Sequence, residues 1–175
     1  MSPRETFLHC PKCGRHAEQP GKAPFQCAAC GFLFYFNPAI AAGAILQAPD
    51  GRVLLVRRAK NPHQGKLTVP GGFVDMGEVA EDALRREIRE EVGSQVGRLD
   101  YLCSLPNEYH YQGVTYQVLD FFFTGQAPNL DARADPGEVT EICWVRPGEI
   151  ALEEIAFASV RRALEKFSSG GRDQT

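Results

Sequence analysis

The chain is 175 residues long, 43% hydrophobic and 23% charged, with a formal net charge of −3. That length allows one full core plus a small appendage, and the acidic balance leaves no broad basic surface for nucleic acid or an anionic membrane. No stretch approaches the ~18 consecutive apolar residues of a transmembrane helix, and the opening MSPRETFLHC holds no apolar run of signal-peptide length, so a soluble, cytoplasmic protein is expected.

The first element is a pair of knuckles, Cys10-Pro-Lys-Cys13-Gly14 and Cys27-Ala-Ala-Cys30-Gly31, with residues 14–26 between the cysteine pairs. Two Cys-x-x-Cys units at this separation supply four thiolates that can close a tetrahedral zinc site, and the glycine after each allows a tight turn. Two disulfides are the alternative, disfavoured by the lack of an export signal and by a reducing compartment. Residues 1–36 are too few to bury a core of their own, so zinc is expected to supply much of the folding free energy of this ribbon. Its Arg4, Lys12, Arg15 and Lys22 against Glu5 and Glu18 give only a weak excess for nucleic acid. The ribbon is read as a structural or dimerising element, which leaves a homodimer open.

Phe32-Leu33-Phe34-Tyr35-Phe36 reads as a strand, and Asn37-Pro38 as the turn into a second domain over residues 37–167. Residues 40–47 and 52–58 read as strands joined at Pro49-Asp50-Gly51, a hairpin. A loop from Ala59 leads to Leu67-Thr68-Val69, the diglycine Gly71-Gly72 and a helix ending near Val92. Strands follow near 98–105, 115–124 and 140–145. A last helix carries Phe157, Val160, Leu164 and Phe167 at three-and-four spacing, and 168–175 is a polar, flexible tail. Cys103 and Cys143 lie in apolar surroundings and read as core thiols, while the four histidines share no metal-ligand spacing.

The helix before Val92 carries the chemistry. At about 100° per residue, Ala80, Leu84, Ile88 and Val92 form one apolar stripe, with Glu87 and Glu91 at its edge and Glu90 beside them. Each like-charge pair costs roughly 0.2–0.5 kcal/mol, and partial burial adds to that, so a cation belongs there. Hard oxygen ligands around an open position suit Mg²⁺ or Mn²⁺ better than zinc. Acid-then-base pairs, Glu81 with Arg85 and Asp82 with Arg86, stabilise the solvated side of the helix. Pro70, Gly71, Gly72 and Gly77 allow the preceding backbone to turn sharply against whatever the glutamates hold.

Residues 72–94 resemble the Nudix box, G-x5-E-x7-R-E-U-x-E-E-x-G-U with U a bulky aliphatic. The match runs through Gly72, Glu78, Arg86, Glu87, Ile88, Glu90, Glu91 and Gly93, and departs at Ser94, a packing position. The resemblance implies an α/β fold, a Nudix-like α-β-α sandwich with a mixed sheet, preceded here by the zinc ribbon. It extends over roughly residues 38–167 and includes Trp144; Leu67 stands where many relatives carry tryptophan. It implies hydrolysis of a nucleoside diphosphate linked to another group, with Glu87, Glu90, Glu91 and the Gly71 carbonyl holding Mg²⁺ and Arg86 orienting Glu87. Glu78 is read either as an acid at the helix N-terminus or as a water-mediated metal contact.

The favoured general base is Glu87, with Glu138 as a contributor from a late acidic loop that also holds Asp131, Asp135 and Glu141. Arg57 and Arg58 are candidate phosphate contacts. Tyr109 and Tyr116, with Tyr111, are candidates to stack on a base or form a dimer edge. A zinc ribbon joined to such a domain resembles the NADH pyrophosphatases. The SQPWPFP signature of that group is replaced by Ser104-Leu105-Pro106-Asn107-Glu108-Tyr109, so the chain more nearly resembles ribbon-bearing relatives that cleave ADP-ribose or FAD. A non-catalytic regulator that senses a nucleotide while the ribbon binds nucleic acid or protein is the alternative from another class; the intact box argues against it.

Overall fold

The two cysteine knuckles fold as tight turns because Gly14 and Gly31 adopt left-handed φ values of 72° and 71°, which brings their N–H groups onto the carbonyls of Cys10 and Cys27. Strand β1 (Phe25–Gln26) pairs antiparallel with β2 (Leu33–Phe34), so the strand expected over 32–36 is shorter than the aromatic run. Phe7 lies 5.6 Å from Phe25, 5.2 Å from Phe34 and 4.8 Å from Phe36 between ring centroids, over buried Cys10, Ala17, Phe25 and Cys27. The computed structural model describes residues 1–170; positions 171–175 of the expected tail lie outside the described residues. The chain divides into two units, one comprising Met1–Ala39 with Glu108–Val118, the other Ile40–Asn107 with the residues from Leu119 onward.

In the larger unit, β3 (Ala39–Gln47) and β4 (Val53–Arg58) come into register at Gln47↔Val53. The hairpin then opens. β5 (Leu67–Thr68) lies on β4, and β6 (Gly71–Phe73) on β3. Helix α1 (Ala80–Val92) is followed by β7 (Leu99–Tyr111), β8 (Val114–Gln126), β9 (Val139–Val145) and helix α2 (Ala158–Ser168). The seven-stranded sheet runs β5-β4-β3-β8-β7, with β6 added to β3 and β9 to β4. β9 follows β4 from Val53↔Val145 to Arg58↔Val139, with an irregularity at Arg57/Arg58, and a bridge from Leu67 to Ile155 is parallel.

The period of two along the strands sorts the core into two faces. Ala42, Ala44 and Leu46 of β3, Leu54 and Val56 of β4, Phe123 and Val139 pack with Leu84, Ile88 and Val92 of α1. The alternate residues Ile45, Val53, Leu55 and Phe122, also buried, point to the opposite face. There Ser159 of α2 donates to Asp120 of β8 at 2.5 Å. Strands β7 and β8 outrun the expected 98–105 and 115–124, closing at Gln112-Gly113 with φ values of 48° and 79°. Two central residues with positive φ match the twist of a hairpin. Among the described residues no helix is long and apolar enough to cross a membrane.

Candidate active site and candidate metal centre

Helix α1 ends at Gly93, whose φ of 65° lets its N–H donate to the Arg89 carbonyl at 3.1 Å. Its buried face is Ala83, Leu84, Ile88 and Val92, with Ala80 half-buried. That leaves Glu87 and Glu91 at the margin of the core and Glu90 exposed. Just ahead of the helix, β6 aligns Gly71 with Gly43 and Gly72 with Ala42. A Cβ on Gly71, where φ is 143°, would strike the Ala42 carbonyl, and one on Gly72 would stand 2.5 Å from the Glu87 carboxyl carbon. The first clash is with backbone and requires glycine; the second is with a side-chain end, so a larger residue at 72 would displace the Glu87 carboxyl group.

Arg86 is the hub of the acidic site. Its Nε and Nη2 each donate to Glu78 at 3.0 Å, and Nη1 donates to Glu87 at 2.7 Å and Glu90 at 3.3 Å. Nη2 also reaches the Phe73 carbonyl at 3.2 Å, a use of the guanidinium fork that lysine cannot copy. The pair expected between Asp82 and Arg86 gives way to this network, and Asp82 takes Arg85 at 3.4 Å in place of Glu81. Glu78 has a role the sequence reading lacked. It grips Arg86, whose hydrogen bonds hold the Glu78 carboxyl below its usual value, and it accepts the Asp75 N–H at 3.2 Å.

Glu91 accepts the Gly71 N–H at 2.9 Å, so the contact Gly71 makes with the acidic cluster here is through its N–H. Burial pushes the Glu91 carboxyl up to about 8, against the pull of that N–H. Glu87 is also raised, first by burial, with the Arg86 hydrogen bond in opposition. Both feel the negative charge of Glu138. Half-buried carboxylates crowded by like charge favour a neutralising cation, and their oxygens are the donors that hard divalent ions take.

The remaining candidates are dispersed. Arg58 lies within the field of Glu91, with Nε donating to the Pro62 carbonyl at 2.8 Å and its guanidinium 5.1 Å above the Phe157 ring. Arg57 turns to Glu141 at 2.6 Å and the Gly65 carbonyl at 2.8 Å. Tyr109 and Tyr116 stand on the hairpin end that groups with the cysteine-bearing unit. The contact of Phe157 with Arg58, the Gly71 N–H and Lys60, which pairs with Glu138 at 2.5 Å, were not read from the sequence. Their partners lie many positions away in the sequence, on other strands and on the helices, and tertiary packing brings them together.

In the smaller unit the Sγ atoms of Cys10, Cys13, Cys27 and Cys30 all lie within 4.8 Å of one another. Cys10–Cys30 and Cys13–Cys27 are each 3.7 Å apart, well beyond the roughly 2.05 Å of a disulfide. A tetrahedral centre with metal–sulfur bonds of about 2.3 Å has sulfur–sulfur edges of about 3.8 Å, so the cluster can hold one metal ion. The backbone N–H of Cys30, and to a lesser degree that of Ala29, favours the Cys27 thiolate and draws its pKa down to about 7.

A diglycine strand feeding a helix of paired glutamates around one arginine, on a mixed sheet between two helices, defines a Nudix-type domain, and a four-cysteine cluster stands beside it in the sequence. The NUDIX domain profile matches residues 37–167, and the chain belongs to that family. It is similar to an ADP-ribose pyrophosphatase of Methanocaldococcus jannaschii, 44% identical over 35% of this chain and 36% of that protein. It is also similar to the NAD-capped RNA hydrolase NudC of Shigella dysenteriae, 31% identical over 90% of this chain and 58% of that one. The chain thus spans less than two thirds of the length of either relative. A NUDIX hydrolase structure from Nitrosomonas europaea, 24% identical, covers 94% of both chains with a TM-score of 0.71, a likeness of fold.

Proposed function

We propose that the protein is a pyrophosphohydrolase that splits the diphosphate bridge of a nucleoside diphosphate joined to another group, with ADP-ribose or FAD ahead of NADH. The observation that carries this reading is the intact box: Arg86 holds Glu78, Glu87 and Glu90 while Glu91 sits half-buried on the Gly71 N–H. Glu87, Glu90 and Glu91 would hold Mg²⁺ or Mn²⁺, which when bound neutralises the diphosphate and acidifies water. Arg86 fixes the Glu87 carboxylate from one side, and Gly72 leaves it the space it occupies. Glu87 takes the proton of the attacking water, with Glu138 contributing from its loop, and Arg58 receives a phosphate oxygen. The four-cysteine cluster would hold a structural Zn²⁺, since four thiolates leave no open position for substrate.

Two observations bear on the substrate. The matched segment of the M. jannaschii relative, named for ADP-ribose, is the more similar in identity, whereas the relative named for NAD-capped RNA extends over more of this chain. NADH or NAD is therefore the second reading. The test is a panel of ADP-ribose, FAD, NADH and NAD incubated with Mg²⁺ or Mn²⁺ and resolved by chromatography. AMP plus the other phosphorylated half is expected, fastest from ADP-ribose or FAD. Preference for NADH would reverse the ranking, and tight binding of a nucleotide without turnover would favour a sensing regulator.

A further inference from the structure

Glu138 belongs to a segment tied down on both sides. Arg133 and Asp135 donate their N–H groups to the carbonyls of Val92 and Glu91, at 2.9 Å each. These carbonyls end α1 and have no partner within the helix, so the segment caps the box helix. Asp135 closes a turn by accepting the N–H groups of Glu138 and Val139 on its carbonyl and that of Gly137 on its side chain. On the far side the Ala59 N–H donates to the Glu138 carbonyl at 2.9 Å, extending the β4–β9 ladder by one step. Lys60 follows directly. Its Nζ donates to Glu138 Oε1 at 2.5 Å, engaging one of the two carboxylate oxygens. Both side chains are at least half exposed, and such a pair contributes little to stability. What it does is fix the direction of a carboxylate whose charge reaches Glu87 and Glu91.

We infer that Lys60 is a positioning residue: it ties one oxygen of Glu138 and leaves the other at the rim of the acidic cluster, free to accept a hydrogen bond from the water that attacks the diphosphate. The inference rests on the hydrolase reading and adds to it a residue outside the box. The ion pair with Glu138 is the contact through which Lys60 acts. Residues that orient a catalytic group in this way typically change activity by about ten- to a hundredfold when lost.

The test compares Lys60→Met, Lys60→Arg, Glu138→Gln and the double variant Lys60→Met/Glu138→Gln in the full chain. Lys60→Met is expected to lower kcat about tenfold with KM unchanged, Lys60→Arg to restore most of it, and the double variant to match Glu138→Gln alone, because units that act together are not additive. Mn²⁺ affinity, read by calorimetry on metal-free protein, is expected to stay within about twofold, and a crystal structure of Lys60→Met to show Glu138 turned away from the cluster. A raised KM at constant kcat would make Lys60 a phosphate contact and overturn the proposal, as would a full Lys60→Met effect in the Glu138→Gln background or an unmoved Glu138. A wild type that hydrolyses nothing on the panel, with Glu138 still displaced in Lys60→Met, would instead sink the hydrolase reading and leave the placement of Glu138 by Lys60 standing.

Discussion

Gly72 and Glu91 show how little room the acidic site has. A methyl group on Gly72 would need the space of the Glu87 carboxyl group, 2.5 Å from its carbon, and Glu87 is held in turn by Arg86 at 2.7 Å. Gly72→Ala should therefore leave thermal unfolding within a few degrees of wild type yet lower kcat by about a hundredfold, the scale set by misplacing a catalytic group by about 1 Å; an alanine variant with wild-type kcat would show that Glu87 can move without consequence. Glu91 poses the converse case, a half-buried group that is costly to ionise and useful only with a cation. Glu91→Gln keeps an acceptor for the Gly71 N–H and removes a like charge from Glu87, so the fold should survive or gain slightly. Hydrolysis at saturating Mg²⁺ should fall by about a hundredfold or more, because several kcal/mol of charge stabilisation go with the lost ligand. Undiminished turnover in that variant would remove Glu91 from the metal site.

At the level of elements, the pairing of β8 with α2 rests partly on Asp120, buried and accepting the Ser159 hydroxyl at 2.5 Å. Burial raises its pKa, against the hydrogen bonds from Ser159 and Asn107. A carboxyl group raised on folding contributes stability that is complete below its unfolded pKa and is lost as pH climbs through the folded value. Asp120→Asn retains an acceptor for Ser159 and does not titrate. Denaturant unfolding followed from about pH 3, below the unfolded carboxylate value, to about pH 8 should find the variant gaining on wild type as pH rises; a gap that stays constant over that whole range would mean Asp120 ionises freely in the fold. The same scale explains what the sequence made legible. Helix α1 could be read because its apolar stripe has the helical period and Gly93 closes it, and the cysteine cluster because its ligands are local in pairs. The reach of β7 and β8 could not, since Pro106 and the polar Asn107–Gln112 run hide strands that Gln112-Gly113 joins. Nor could Arg86 be assigned to Glu78: spacing along a helix favours Asp82, whereas the loop folded back from Gly77 offers a fork at 3.0 Å. Lys60 with Glu138 and Arg57 with Glu141 depend on the register of β4 with β9, which local sequence does not encode.

For the whole molecule the two units differ in what holds them. The larger buries Ile45, Leu46, Val53, Leu55, Leu84, Ile88 and Leu164 to 1% exposure or less, a core that stabilises itself at about 25 cal/mol per Å² of apolar surface removed from water. The smaller buries Cys10, Ala17, Phe25 and Cys27 under a few phenylalanine rings, and two of those four are the thiols that would bind metal. Metal affinity is then folding free energy for the smaller unit and has little bearing on the larger. One zinc per chain is expected by elemental analysis. Removing it with a strong chelator under reducing conditions should abolish amide protection across residues 1–39. The hairpin end from Glu108 to Val118, which groups with them, should lose protection in the same step. Strand β4, whose Val53–Val56 run is fully buried, should keep its slow exchange. Hydrogen exchange read by mass spectrometry separates these segments. Intact protection of residues 1–39 in zinc-free protein would show that the phenylalanine cluster folds the ribbon alone, and simultaneous loss in β4 would show that the two units share one folding transition.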